Sequence, residues 1–373
     1  MPWHPCLSSL CDSQLTDPKG ANLKLVASVL KPFIANGQKY GVFWDWVSMF
    51  QMEGQRNASM TKAQQASFDD AIRALPTLFS HEYTTVLRVT SLPEGFPESY
   101  EALPAGANIA EYANRGWCFT ETLWSSWPNK KTLDIGRLAL SRQHGGWKEG
   151  SSLLELLRTC AHTEPRRTAP LLPAQFKEII LTKSMHNPKD DAVLLTELYE
   201  EAFTSYFGQA YKLNFSNLGW GDDECVQLAK VLSTGVAKKV VLIYLSINQI
   251  GNRGMKALAA AVAEGGLPVC STIVLQGNPG DFSIVQKALA VRAKDRGTRK
   301  PRRGARSNGE RPTTAPAVDE PTTVIATSAS SAALATVTVQ ARNPVRQQGS
   351  PWTAGRRQAT GARITVSQDQ ARV

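Results

Sequence analysis

From about residue 209 the apolar positions recur with a period of 30. Shifting the chain against itself by that length places Leu213 on Ile243 and then on Ile273, and Phe215 on Leu245 and Leu275. Gly221-Asp222 falls on Gly251-Asn252. Leu228-Ala229 falls on Leu258-Ala259 and then on Ala288-Leu289, and Leu232 falls on Val262. A fixed period of this size marks stacked supersecondary units. The alternation Leu-x-Leu predicts a short strand with two residues facing inward. Asn248 and Asn278 sit where a side-chain amide can bond the backbone of the turn after that strand. Gly221 and Gly251 open the loop to a helix whose inward face is Leu-Ala-x-x-Leu/Val. One such unit cannot bury both of its faces, and three stacked units only just can.

Ahead of the repeats the period changes. Val26, Val29, Leu30 and Phe33 have helical spacing, with Gly37 as a stop. The run from Tyr40 through Phe43, Trp44 and Trp46 predicts a buried strand ending near Asp45. Phe68, Ile72 and Leu75 share one face of a second helix, from about Thr61, which Pro76 should end or kink. Thr84 to Val89 predicts another strand. A loop with Pro93, Pro97 and Pro104 leads to Arg115-Gly-Trp-Cys-Phe-Thr-Glu-Thr-Leu-Trp, whose last part should start a helix that Pro128 stops. Leu133-Asp-Ile is a candidate third strand. Strands alternating with helices predict an α/β layer with parallel strands. Residues 1–22, rich in proline breakers, predict an irregular N-terminus.

Residues 137–208 are helical in pattern. Leu153, Leu154, Leu156, Leu157 and Cys160 form one apolar group, and Phe176, Ile179 and Ile180 another. Asp190 to Phe207 forms a longer amphipathic stretch, placed to cap the repeats. The tail from 293 is rich in Ala, Thr, Ser, Pro, Gly and Arg. Its sparse apolar content predicts disorder, with Val324-Ile-Ala and Ala332 to Val339 as its only apolar patches.

Charge changes the picture only once it is located. The chain carries a net charge of +10, but the first 291 residues hold 27 charges of each sign. The whole excess lies from Arg292 onward, so the folded part exerts no general attraction on polyanions. Nine Lys/Arg fall between Arg292 and Arg311. The run from Arg299 to Arg306 is a candidate nuclear-import signal or nonspecific contact to nucleic acid or an acidic surface. It equally fits a solvated linker, and no stacking aromatics accompany it.

The unit from Ile243 through Asn248, Gly251 and Leu258 resembles the ribonuclease-inhibitor-type leucine-rich repeat. The first and third units depart from it at Leu218 and at Pro279-Gly280, which suits terminal positions. That resemblance implies a protein-binding scaffold over 209–292. Its concave surface would carry Asn214, Ser216, Tyr244, Ser246, Val274 and Gln276. The alternative is a sheet buried against 137–208 as core.

A second resemblance covers about residues 23–135. Trp117-Cys-x-x-Glu121 follows the strand at Thr84–Val89 and is similar to the helix start after the third strand of Toll/interleukin-receptor domains. Trp44-Asp45 through Gln51, together with Arg115-Gly-Trp-Cys-Phe-Thr-Glu121, also resembles fungal heterokaryon-incompatibility domains. The resemblance implies, for enzymatic members, cleavage of the nicotinamide–ribose bond of NAD, with Glu121 as the catalytic carboxylate. A carboxylate beside an oxocarbenium-like sugar stabilises its charge. Trp117 would stack on a planar ring, Arg115 would hold phosphate, and Asp45 would sit at the strand end beside the substrate. The competing interpretation packs Trp117 and Cys118 in the core, leaves Glu121 as a carboxylate favoured by the helix start, and makes Asp45 a loop cap. The family begins with a strand that residues 1–22 do not supply.

Other chemistry finds little support. The six cysteines form no Cys-x-x-Cys pair, and the five histidines are isolated. No metal site and no bound cofactor are therefore expected, NAD entering only as a substrate. No apolar run spans a bilayer and no secretory signal opens the chain, so an intracellular, cytoplasmic protein is expected, nuclear if the basic run acts as a signal. The expected architecture is an incomplete α/β domain of Toll/interleukin-receptor type (23–136), a helical connector (137–208), three leucine-rich repeats (209–292) and a disordered basic tail (293–373). The expected function is protein interaction through the repeats, with NAD cleavage or tail-mediated nucleic-acid binding as alternatives.

Overall fold

The computed structural model describes residues 21–37, 40–44, 48–49, 60–91, 110–128, 132–136, 138, 148, 150–161, 167–185 and 187–298, with strands at 324–327 and 336–340. It is a mixed α/β molecule with short parallel sheets. The front part holds α1 (Ala21–Ala35), β1 (Val42–Trp44), α2 (Lys62–Ser80), β2 (Thr84–Arg88), α3 (Gly116–Ser126) and β3 (Thr132–Asp134). Helix α2 starts at a reciprocal cap. Thr61 Oγ1 accepts from the Gln64 backbone, and the Gln64 amide accepts from the Thr61 backbone. It runs on past Pro76 to Ser80 rather than ending there. Pro76 lies on the buried face with Leu75 and Phe79, where packing outweighs the missing backbone bond. Strands β2 and β3 are parallel, with Arg88 opposite Asp134.

The connector contributes α4 (Leu153–Ala161), α5 (Pro173–Ile180) and α6 (Pro188–Gln209). Three strand–helix units follow: β4 (Lys212–Asn214) with α7 (Asp222–Ser233), β5 (Leu242–Tyr244) with α8 (Asn252–Ala263), and β6 (Thr272–Val274) with α9 (Ser283–Thr298). Their strands form a parallel sheet in the 30-residue register, Leu213 beside Ile243 beside Ile273. The inward residues Leu213, Phe215, Ile243, Leu245, Ile273 and Leu275 are all buried. One core runs from Phe68, Phe79 and Trp124 in the front part through α6 into all three units. A second, separate core gathers Val26, Val29, Phe33, Leu87, Cys118 and Ile135.

Helix α9 extends to Thr298, and Arg292 on it donates to the carbonyls of Leu267 and Cys270. Further on, β7 (Val324–Thr327) and β8 (Thr336–Gln340) join the front sheet, in the order β1-β7-β8-β2-β3. These are the two patches of β-branched residues in an otherwise polar segment. Their composition suits strands.

Candidate functional site

The repeat sheet is built on asparagine. Asn248, 1% exposed, accepts from Leu218 N (2.9 Å) and Trp220 N (3.1 Å). Its amide donates to Phe215 O (2.8 Å) and Leu245 O (3.0 Å). All four capacities of the side chain are used, three of them on the preceding unit, which offsets the cost of its burial. Asn278 repeats the pattern one unit on, with Ile250 N, Leu245 O and Leu275 O. The asparagine expected to serve its own turn thus also joins adjacent units. Leu218, in the first unit, has no earlier unit to bond. Asp222 and Asn252 continue the linkage at the helix starts, accepting from Gly251 N and Gly254 N (2.8 Å each) and from Asp281 N (2.8 Å).

This scaffold presents the alternate residues of each strand outward. Tyr244, Ser246 and Val274 are half-buried and Gln276 is exposed. Asn214 and Ser216 are half-buried and already engaged: Asn214 Oδ1 accepts from Ser216 N, and the hydroxyls of Ser216 and Ser246 lie 3.0 Å apart. Just beyond this row the backbone turns left-handed at the same place in each unit, at Asn217 (φ 56°), Ile247 (φ 57°) and Gly277 (φ 76°). Asparagine and glycine tolerate that conformation, whereas a β-branched residue does not. Ile247 nonetheless occupies it with its side chain exposed. Gly277 leaves room for it, since a Cβ there would lie 3.3 Å from the Ile247 backbone.

The connector packs against the first unit. Trp220 Nε1 donates to Arg167 O (2.8 Å), Gln175 and Gln227 exchange hydrogen bonds, and Gln227 donates to Pro170 O. Arg167 lies over the Phe215 ring at 5.1 Å, and that ring stacks on Trp220. Arg167 was not anticipated from sequence. No local pattern distinguishes it from a surface arginine, because its partners lie about 40 residues away on either side.

The second candidate group lies at the start of α3. Arg115 is fully buried and Glu121 is 5% exposed. Burial lowers the Arg115 pKa from its ordinary value, and its Nε donates to Ala110 O (2.7 Å). Trp117 is partly buried against the core. The connector covers this helix start: Gly116 N donates to Ser184 O (3.0 Å), Ser184 N to Asn114 O (2.7 Å), and Lys183 Nζ to Ala113 O (2.9 Å). A Cβ on Gly116 would lie 2.6 Å from Met185. Residues 183–185 thus pack on Ala113, Asn114 and Gly116 at the start of the helix. Asp45 lies outside the described residues, as does the run Arg299–Arg306.

The carboxyl ends of the front strands hold a cluster that sequence reasoning missed. Asp134 (1% exposed) accepts from Thr90 Oγ1 at 2.6 Å, and Ser91 Oγ donates to Gly136 O. An aspartate inside the apolar run Leu133-Asp-Ile was the signal available. Among the described residues no group of His, Cys, Asp and Glu could hold a metal ion, and no helix is long and apolar enough to cross a membrane. Cys118, Cys160, Cys225 and Cys270 are buried thiols, with burial pushing Cys225 up to about 12. No protein-family model and no curated protein matches the chain.

Proposed function

We propose that the chain is a protein-interaction scaffold of the leucine-rich-repeat type. In this reading residues 209–292 hold a partner on the outward row of the repeat sheet, and the front domain, similar to Toll/interleukin-receptor domains, is a rigidly attached body without catalysis. The supporting observation is the division of labour along each strand. Leu213, Phe215, Ile243, Leu245, Ile273 and Leu275 are consumed by the core, while Tyr244, Ser246, Val274 and Gln276 stay partly or fully accessible on a three-stranded parallel sheet. A rigid surface loses little entropy on binding, and a tyrosine at the centre of the row supplies large contact area with few torsions. The covered position of Glu121 and Arg115 supports assigning them to packing rather than to NAD cleavage.

The test uses the full chain with a photo-crosslinking phenylalanine analogue at Tyr244. A protein captured there is then titrated against wild type, Tyr244→Ala and Gln276→Ala. Expected is at least about tenfold weaker binding for Tyr244→Ala, the cost of one central aromatic contact, with unchanged thermal stability. A captured protein that binds a Tyr244→Ala, Val274→Ala, Gln276→Ala variant as tightly as wild type would remove this surface from consideration.

A further inference from the structure

The three repeat strands carry different residues at equivalent outward positions. Leu242 stands between Lys212 and Thr272, and Tyr244 between Asn214 and Val274. In the turn that follows, Ile247 corresponds to Asn217 and Gly277 at the left-handed position of each unit. The largest apolar side chains therefore belong to the middle unit, with smaller or polar residues on either side. Leu242 and Tyr244 are half-buried and Ile247 is 63% exposed. A Cβ on Gly277 would lie 3.5 Å from Ile247 Cγ1, so the isoleucine side chain sits beside bare backbone. Charge is distributed the other way. Over 212–217, 242–247 and 272–277 the single charged residue is Lys212. Exposed Asp223, Arg253, Lys256 and Lys287 all lie on helices α7 to α9.

We infer that Leu242, Tyr244 and Ile247 form an apolar ridge that anchors the partner, and that the partner meets it with an uncharged, apolar peptide segment. The inference rests on the outward row being the binding face. Three observations carry it. A central apolar group ringed by smaller and polar side chains is the arrangement in which binding energy concentrates. A carboxylate or ammonium laid over this ridge would lose water and find no opposite charge, save for a carboxylate at Lys212. A phosphate backbone would meet one lysine, so a polyanion is not the ligand. Ile247 combines a left-handed backbone with an exposed apolar side chain, and strain of that kind collects where a ligand is held.

The experiment pans a random library of short peptides displayed on phage against the immobilised full chain at low salt. The recovered peptides are then titrated against wild type and a Tyr244→Asn, Ile247→Asn variant. Asparagine stands at both equivalent positions of the first unit and tolerates the left-handed backbone, so the variant is expected to keep the wild-type urea midpoint. Ile247→Asn alone replaces it if the pair lowers that midpoint. The recovered peptides are expected to be apolar and without net charge, and to bind the variant at least about tenfold more weakly. Their affinity is expected to change less than about twofold up to about 1 M NaCl, where charge interactions are screened within about 3 Å. Peptides that are charged and released by salt overturn the proposal, as do peptides that bind the variant as tightly as wild type, or a library that yields none. Peptides that keep binding this variant but lose a Val274→Ala, Gln276→Ala variant would remove the ridge and leave the outward row as the binding face. Peptides indifferent to both variants would remove the row as well.

Discussion

Arg167 Nη2 donates a 2.8 Å hydrogen bond to the carbonyl oxygen of Trp127, at the end of the front domain's last described helix. The same guanidinium reaches Ser126 O through Nε and Asn214 O through Nη1, both at 2.9 Å. One planar side chain therefore joins the end of α3 to the end of the first repeat strand. Trp127 continues the contact, its ring against Tyr199, Phe203, Tyr206 and Phe207 of α6. The front domain and the repeats form one packed body through this connection.

Arg167→Met is accordingly expected to destabilise the chain by about 2–4 kcal/mol, since hydrogen bonds from a charged donor contribute about 1.5–3 kcal/mol each and do not add fully. Arg167→Lys is expected to recover little, because an ammonium cannot reproduce the three-way fork. Urea unfolding followed by tryptophan fluorescence measures both. An unchanged midpoint for Arg167→Met would show that the junction is held by the aromatic packing alone.

Asn248→Ala strips partners from four backbone groups in two units. The expected loss is about 3 kcal/mol or more, with accelerated exchange at Leu218 and Trp220 together. Asn278→Ala serves the outer pair of units and is only partly buried, so a smaller loss is expected there. Equal losses at the two positions would contradict the account of burial given for Asn248.

How much of this was legible in the sequence depends on the range of the contacts. The repeats were visible because each unit restates the same local problem, and the 30-residue register of Leu213, Ile243 and Ile273 is the observed pairing. The strand at Thr84 followed from its β-branched residues, within a residue, whereas the helix before Pro128 starts already at Gly116, ahead of the last part of the segment that was expected to open it. Arg167 was not visible, and Val324–Thr327 showed only as an apolar patch in the tail. Each acts on residues far along the chain, and neither leaves a periodic trace. Pro76 misled because its buried neighbours, which decide its tolerance, belong to the tertiary structure.

Ile247 holds a left-handed conformation that costs an L side chain with a branched Cβ roughly 1–2 kcal/mol. Its side chain is 63% exposed, so it returns little by burial. Ile247→Gly is expected to raise stability by about 1 kcal/mol, read as a shift in the urea midpoint, and to weaken partner binding at the neighbouring Ser246 row. A destabilised Ile247→Gly would mean that the side chain packs more than its exposure indicates.

Asp281 accepts from the backbone and hydroxyl of Ser283 at the start of α9. The backbone bond is the larger cause holding its carboxyl below the usual carboxylate range. A depressed folded-state pKa contributes stability that is fully present above the unfolded value, near 4, and is lost as pH falls through the folded value. Fraying of α9 is therefore expected only on the acid side of pH 4. Carboxyl-carbon NMR of Asp281 across that range checks it, and an Asp281 titration at or above the ordinary value would refute the cap.

Glu121 decides between packing and catalysis. Its carboxylate is buried on a helix whose first turn is covered by Ser184 and Met185. Glu121→Ala is expected to cost about 1–3 kcal/mol, the range for disturbing a buried polar group. The purified chain is expected to release nicotinamide from NAD no faster than a buffer blank, with or without the captured partner. The discriminating variant is Glu121→Gln, which keeps shape while removing charge. Release above blank that this variant abolishes, at unchanged stability, would make Glu121 a catalytic residue.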